Sequence, residues 1–384
     1  MRVIVGSTGK QTAFRNRLPG RIGQAARTRL PLAAACAALL LPGCTYLGPA
    51  SVKATRIEYN QAIQQTNDQE LLLNLVRLRY RDTLYFLNVE RVASSLEITS
   101  SIAANAELPS GAPNTFTLGE ASYSFMENPT VFYLPLEGEK FVRQMMTPFN
   151  LNLLVLLTTS GWSVERVFTV MLREMNGIKN APSASGPTPS RAPEYRTFQE
   201  AMLLLRSIQQ QEGFDLGRIP DDEAALELRF TPAMADCEEA RRLREILGLN
   251  PGLDRFRLKL GIGRIDDATI TILPRSMVSS LSYLSQSVQV PQAHEAAGIV
   301  TKTLEKNGEA FDWNHIFENV LRIRTAEKAP ETAAIAVPYR GHWFYIDDSD
   351  LDAKSTFALL SQLFALQAGT EPSSNLNLSF PIGR

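Results

Sequence analysis

The chain has few of the residues that would identify a chemistry. Its 384 residues include three histidines, His294, His315 and His342, which lie far apart in the sequence. No two of them have the spacing of a helical zinc site, and no Gly-x-Ser-x-Gly elbow is present. Gly261-x-Gly263 lies between two predicted strands, whereas a phosphate-binding loop leads into a helix. We therefore predict no metal site, no cofactor and no catalytic residue that a motif identifies.

The chain after the leader has too few cysteines to form an internal disulfide. Of three cysteines, Cys36 and Cys44 belong to the N-terminal leader or its end, and Cys237 is the one that remains. A single cysteine cannot form an internal disulfide, so the fold depends on its hydrophobic core. We interpret Cys237 as a structural residue of an amphipathic helix.

Positive charge is scarce outside the N-terminus. Residues 1–43 contain seven arginine and lysine residues and no acid, so the other 341 residues have a net charge of −8. Proteins that bind nucleic acid concentrate positive charge on one surface. We therefore predict that the chain does not bind nucleic acid.

The first 43 residues have the organisation of an export signal. Arginines precede an apolar run over 30–41, which is too short for a membrane-spanning helix of about 20 residues. The sequence Leu-Pro-Gly-Cys follows directly and ends at Cys44. A small residue before the cysteine, with leucine three places before it, resembles the lipobox of bacterial lipoprotein precursors.

This resemblance implies cleavage between Gly43 and Cys44 and attachment of lipid to Cys44, which would anchor the chain in a membrane. Pro42 departs from the usual pattern, as does the long basic segment before the apolar run. Thr45 follows the cysteine, and by the sorting rule of enteric lipoproteins a residue other than aspartate favours the outer membrane. The resemblance thus implies a lipoprotein facing the periplasm, with residues 44–55 as a lipidated tether.

Hydrophobic periodicity predicts both helices and strands in the rest of the chain. Alternation over 84–126, interrupted by turn residues at 107–114, predicts a long antiparallel hairpin. The second half is predicted to contain helices at 194–212, 236–247 and 275–287, and strands at 224–230, 255–263, 268–273, 332–339 and 342–347. Because helices and strands do not alternate strictly, we expect an α+β fold in which antiparallel hairpins or sheets pack with several amphipathic helices.

Composition divides the chain after the tether into three parts. Residues 56–176 are predicted to form an N-terminal α+β region that contains the hairpin, with a helix capped by Thr66 before it. Residues 177–193 are rich in proline, glycine and serine, which is typical of a linker or a long exposed loop. Residues 194–384 are predicted to form a C-terminal α+β region.

Five residues form a possible binding patch. Arg77, Arg79 and Arg81 make a small basic cluster that could bind a phosphate, a sugar acid or a carboxylate of a partner. The alternative is a solvated face or ion pairs within the fold. Trp343 and Tyr345 share one face of a predicted hairpin, and that face is either core or a contact surface.

The acids at 347–352 suggest either a calcium site or the start of a helix. Asp348, Asp350 and Asp352 match the first three ligand positions of an EF-hand loop, but Ala353 replaces the required glycine and Leu359 the required glutamate. Acids are also expected in the first turn of a helix, where they cap it. We therefore predict that Asp348 or Asp350 caps a final helix.

The lack of a catalytic motif favours a binding or scaffold role. We predict a membrane-anchored component of an envelope complex, with an envelope protein as its partner. One alternative is a hydrolase of cell-wall or lipid material, which needs histidines, acids or serines to converge in a cleft. The other is a carrier of lipid or a small molecule, which needs an apolar cavity of at least about 300 Å³.

Overall fold

The described part of the chain has an α+β fold. The computed structural model describes residues 43–102, 121–219 and 222–368, with side chains for 56–90, 92, 130–219 and 225–368. Apart from Gly43, the predicted signal peptide lies outside these residues, as do the Cys44 side chain and the predicted turn at 107–114. The predicted fold class, with its antiparallel sheets, is confirmed.

Helices and strands follow one another without strict alternation. The helices are α1 (Gly43–Arg79), α2 (Glu139–Met146), α3 (Leu151–Thr159), α4 (Val164–Met171), α5 (Arg196–Gln210), α6 (Glu238–Leu247), α7 (Met277–Ser285), α8 (Gln292–Ala296), α9 (Asn314–Phe317) and α10 (Leu351–Ala368), with a 3₁₀ helix at Pro182–Ser185. The strands are β1 (Leu87–Ile102), β2 (Ala121–Pro135), β3 (Leu172–Met175), β4 (Ile178–Lys179), β5 (Phe214–Ile219), β6 (Asp222–Phe230), β7 (Arg255–Leu260), β8 (Thr269–Pro274), β9 (Arg324–Ala326), β10 (Ala333–Tyr339) and β11 (His342–Asp347).

The chain divides into two compact units. One contains the described residues up to Ile63 together with Leu87–Pro135, and the other contains Gln64–Phe86 and the described residues from Leu136 onward. These units differ from the regions predicted at 56–176 and 194–384. Both regions contribute to the second unit, so the chain does not divide at 177–193.

The first unit contains the predicted long hairpin. Strands β1 and β2 pair antiparallel over their whole length. Strand β2 continues through Asn128-Pro129, and Pro129 lies opposite Ser94. A two-stranded sheet consists of edge strands, and an edge strand tolerates proline where no N–H needs a partner.

Helix α1 is longer than predicted. It begins at Gly43, so residues 44–55, predicted to be a tether, are helical, and Thr66 lies inside the helix instead of capping it. No glycine or proline occurs from Ala50 to Arg79, so nothing in that range stops the helix, which also includes Gly48 and Pro49.

A six-stranded sheet forms the centre of the second unit. Its order is β4-β3-β8-β7-β6-β5, and its pairs are antiparallel except for β7 with β8. Along β7, Phe256 and Leu258 are buried while Arg257 is exposed, the pattern of a strand with one covered face. Leu205 of α5 and Leu243 of α6 belong to the same apolar core as these strand residues.

Segment 177–193 is packed into the second unit, so the prediction of a linker or exposed loop is wrong. Ala184 and Thr188 are buried. The guanidinium of Arg275 reaches the segment and donates a hydrogen bond to the Asn180 carbonyl. Polar contacts of this kind leave no apolar periodicity in the sequence, which explains why composition alone resembled a loop.

A three-stranded sheet of order β10-β11-β9 completes the second unit. The hairpin of β10 and β11 turns at Arg340 and Gly341, whose φ angles are 47° and 82°. Two consecutive positive φ angles are typical of the tight turn that matches strand twist. Phe344 and Ile346 of β11 face the core, and the adjoining α10 buries Leu360.

Candidate functional site

Arg79, the last residue of α1, is buried in the second unit with 7% of its surface exposed. Its three hydrogen bonds all come from Nη1, which donates to Thr188 Oγ1 at 3.3 Å, Gln286 Oε1 at 3.3 Å and the Thr301 carbonyl at 3.5 Å. Among the described residues, its buried Nε has no acceptor. These contacts are long, so the fold holds the guanidinium weakly.

The charge of Arg79 has no carboxylate within ion-pair distance among the described residues. Burial lowers the pKa of Arg79 to about 10, and the more distant Glu295 acts in the opposite direction. The side chain therefore stays protonated at neutral pH. Burial of an unpaired cation costs stability, so the fold holds a positive charge that it does not compensate.

Arg79 lines a cavity of about 490 Å³. This volume lies within the range of about 300–1,000 Å³ that is usual for small-molecule sites. Apolar side chains form part of the wall: Val288, Val290, Val300, Phe311, Trp313 and Ile323. Because polar and charged side chains form the rest, the cavity differs from the apolar one that a lipid carrier needs.

The other cations of the cavity wall are paired. Lys302 Nζ lies 3.5 Å from Glu295 Oε2. Arg322 Nε lies 2.9 Å from Asp350 Oδ2, and Arg324 Nη1 lies 3.4 Å from Asp347 Oδ2. An anion that enters the cavity therefore meets one uncompensated positive charge, that of Arg79.

The three arginines of the predicted patch have different roles in the structure, although Arg79 and Arg81 both donate to Thr188. Arg77 donates to Asn74 within α1, and Arg81 donates to the Thr188 carbonyl. Of the three, Arg79 lines the cavity. Sequence spacing placed the three side chains near one another but did not distinguish the one that lines the cavity.

Trp343 and Tyr345 lie on the outer face of the three-stranded sheet. Phe344 between them is buried, so alternate side chains of β11 point to opposite faces, as predicted. Both aromatic side chains are half-buried, and Tyr345 lies opposite Arg324 of the neighbouring strand. This face therefore presents two aromatic residues beside a cation.

Two histidines meet beside the end of α1, which the sequence analysis did not predict. The rings of His294 and His342 pack edge to face with centroids 4.8 Å apart. Tyr80 Oη lies 2.7 Å from Nδ1 of His294. Within the described ranges no hydrogen bond joins a histidine ring to a carboxylate. The cluster thus lacks the acid that orients a catalytic histidine, and it lends no support to a hydrolase.

The stability of the protein is expected to fall as His294 becomes protonated. Burial lowers the pKa of His294 below its usual 6.5, and His342 and Arg340 act in the same direction. The unfolded chain therefore binds this proton at a higher pH than the folded chain. Stability is retained above about pH 6.5 and decreases as the pH falls through and below that value.

Urea unfolding over about pH 5 to 8 measures this dependence. The free energy of unfolding should rise with pH to a plateau, and His294→Asn should flatten the rise. His315→Asn is the matched control at an exposed histidine and should keep the rise. An identical pH dependence in the wild type and His294→Asn would contradict the prediction.

The acids at 347–352 support the fold. Asp350 accepts a hydrogen bond from the Ala353 N–H at 3.1 Å and pairs with Arg322. The prediction that an aspartate here caps the final helix is confirmed. No group of three or more metal-ligating side chains occurs among the residues that the structure describes.

Neither a search for membrane-spanning helices nor a comparison with known proteins assigns a function. In the described ranges, no helix is both long enough and apolar enough to cross a membrane. The described residues form other cavities as well, one of about 550 Å³, and the Arg79 cavity is distinguished by a buried cation that has no carboxylate partner among them. No protein-family model, curated protein or solved structure matches the chain.

Proposed function

We propose that the chain is a binding protein of the bacterial envelope, held at a membrane by lipid on Cys44, which binds an anionic group at Arg79. The observation that carries the binding role is the uncompensated guanidinium of Arg79 on the cavity wall. The lipobox that ends at Cys44 supports the location.

The energetics of Arg79 favour a ligand over a purely structural role. A cation that serves the fold alone usually has acceptors for its donors. These are carboxylates for Arg322 and Arg324 in the same wall, and backbone carbonyls for the buried Arg275. An anion bound to Arg79 would form charge-assisted hydrogen bonds in surroundings of low dielectric constant, where they are stronger than in water. The free energy lost by burying the unpaired charge would then be offset in the bound state.

Replacing Arg79 with methionine is expected to weaken anion binding by about 100-fold, because the ion pair and its hydrogen bonds are lost. Methionine retains much of the apolar surface of the side chain. The probe is benzoate, titrated calorimetrically into the full chain in detergent micelles. Without benzoate, the free energy of unfolding should be unchanged or higher, since a buried unpaired cation is removed.

Arg77→Met is the matched control for this experiment. Arg77 lies two residues earlier on α1 and is not among the residues that line the cavity. Its replacement should leave benzoate binding unchanged. If Arg79→Met binds benzoate normally and loses stability, Arg79 is a structural residue and the proposal is wrong.

A partner protein on the outer face of the three-stranded sheet is a second candidate function. The half-buried Trp343 and Tyr345 favour it, since aromatic residues are enriched at protein interfaces. Crosslinking in the native envelope should capture a protein with the wild type. The variant with both Trp343→Ala and Tyr345→Ala should not capture that protein. The variant should lose no more than about 1 kcal/mol of stability. Capture of the same proteins by the variant would contradict this function.

A further inference from the structure

The charges of the cavity wall indicate how much negative charge a ligand carries. Arg79 is the wall cation that has no carboxylate partner among the described residues. Asp312 of the same wall is exposed and accepts a hydrogen bond from the Asn314 N–H at 2.9 Å. One negative charge on a ligand would therefore neutralise the buried part of the site. A dianion would leave a second charge unpaired in a partly buried site, which is unfavourable.

The wall also supplies an apolar surface. Phe311 and Trp313 pack edge to face with centroids 5.0 Å apart, and Val288 and Ile323 line the same cavity. An inorganic anion would gain nothing from these side chains. An acid with a ring or branched apolar body would bury its surface against them.

The unpartnered polar atoms of the cavity residues are donors. Among the described residues, Arg79 Nε and Trp313 Nε1 are buried without an acceptor, and both residues line the cavity. Both nitrogens are buried from the cavity as well as from solvent, so a ligand meets the exposed part of the Arg79 side chain. A guanidinium only donates hydrogen bonds, so a ligand that contacts it must supply acceptors. A carboxylate has two acceptor oxygens and no donor.

From these three observations we infer that the ligand is a monocarboxylate with an apolar body. This inference rests on the proposed anion-binding function and specifies its ligand class. The carboxylate binds Arg79, and the apolar body lies against the wall that contains Phe311 and Trp313. Two sources provide this chemistry: a free organic acid, or the C-terminal residue of a peptide chain.

Calorimetry of the full chain in detergent micelles with five probes tests the inference. Benzoate and N-acetylphenylalanine should bind at least about tenfold more tightly than acetate, because their rings are buried. Sulfate should bind more weakly than benzoate because it carries two charges. N-acetylphenylalanine amide differs from N-acetylphenylalanine in lacking the charge, and it should show no measurable binding.

A substitution in the cavity wall separates the contribution of apolar contacts to the binding affinity from the contribution of the charge. Val290 lines the cavity and is half-buried, so Val290→Asn should weaken benzoate binding by about fivefold and acetate binding by a smaller factor. Leu203→Asn, at an exposed leucine outside this cavity, is the matched control and should change neither affinity.

The outcomes separate the ligand class from the proposed function. Tighter binding of N-acetylphenylalanine than of benzoate supports a peptide C-terminus as the source, and the reverse supports a free acid. If acetate or sulfate binds as tightly as benzoate in an Arg79-dependent manner, the ligand class is wrong and the anion-binding function stands. If none of the anions binds, or if binding does not depend on Arg79, the proposed function fails as well.

Discussion

Replacing Arg275 with methionine is expected to lower the free energy of unfolding by about 3–5 kcal/mol, because four hydrogen bonds from a charged donor in the core are lost at once. Arg275 is 1% exposed. Burial lowers its pKa to about 10, so the guanidinium stays charged at neutral pH. It is therefore a second buried cation in the unit that contains Arg79.

Each nitrogen of the Arg275 guanidinium donates at least one hydrogen bond. Nε donates to Ser185 Oγ at 3.0 Å, and Nη1 donates to the carbonyls of Thr169, at 3.0 Å, and Leu172. Nη2 donates to the Asn180 carbonyl, and the group lies 3.9 Å from the centroid of the Tyr283 ring. Methionine would remove all four of these hydrogen bonds. The carbonyls of Thr169 and Leu172 would keep Asn180 Nδ2 as a donor, so segment 177–193 would be held less firmly against β3 and α7.

Urea unfolding at neutral pH measures this loss. Arg241→Met, at an exposed arginine of α6, is the control and should change the free energy of unfolding by less than about 0.5 kcal/mol. If Arg275→Met loses less than about 1 kcal/mol, the hydrogen bonds of Arg275 do not hold the core together as the structure indicates.

Replacing Cys44 with serine is expected to move nearly all of the protein from the membrane fraction to the soluble fraction. Serine has no thiol to receive the diacylglyceryl group, so the lipid anchor cannot form. Each buried methylene of an acyl chain contributes about 0.8 kcal/mol to membrane binding, so the loss of several chains removes a stable anchor. The N-terminal peptide of the mature wild-type protein should carry the corresponding acyl mass, and that of the variant should not.

The other two cysteines provide matched controls. Cys36 lies inside the predicted leader, and Cys237 caps α6 by accepting a hydrogen bond from the Ala240 N–H at 3.3 Å. Cys36→Ser and Cys237→Ser should both remain in the membrane fraction with the acyl mass unchanged. A Cys44→Ser protein that fractionates like the wild type would show that the lipobox resemblance is misleading.

Secondary structure was predictable from the sequence where a helical or strand-like hydrophobic pattern continues over the whole element and a turn residue marks where the element starts or ends. The strand predicted at 342–347 agrees with β11, because the turn at Gly341 fixes where it starts. The helix predicted at 194–212 agrees with α5 to within two residues at each end. Strand β5 was not predicted, because Gly217 interrupts a short pattern that already lacks clean alternation.

The site itself was only partly predictable. Arg79 was among the predicted binding residues together with Arg77 and Arg81, because arginines cluster at the end of α1. The environment of Arg79 is formed by Thr188, Gln286 and Thr301, which are more than 100 residues away in sequence. Local sequence determines which residue types α1 carries, but it does not determine which long-range partners surround each of them.

Three arginines of the described residues are buried, and Arg244 donates to the carbonyls of Leu253 and Ala235. The other two show the difference between a structural cation and a candidate binding residue. Arg275 donates four hydrogen bonds and packs on Tyr283. Arg79 donates long hydrogen bonds from Nη1 alone and lines a cavity. We therefore expect opposite effects on stability when each is replaced by methionine, and a ligand that responds to Arg79.

The ¹H–¹⁵N resonances of the arginine Nε groups, recorded while benzoate is added to the full chain, test the central proposal most directly. The Arg79 resonance, assigned by its loss in Arg79→Met, should shift and saturate as benzoate binds. The Arg275 resonance should stay in place, since its donors already have acceptors. Saturation of binding with no change at Arg79, or equal small shifts at all arginines, would contradict a binding site at Arg79.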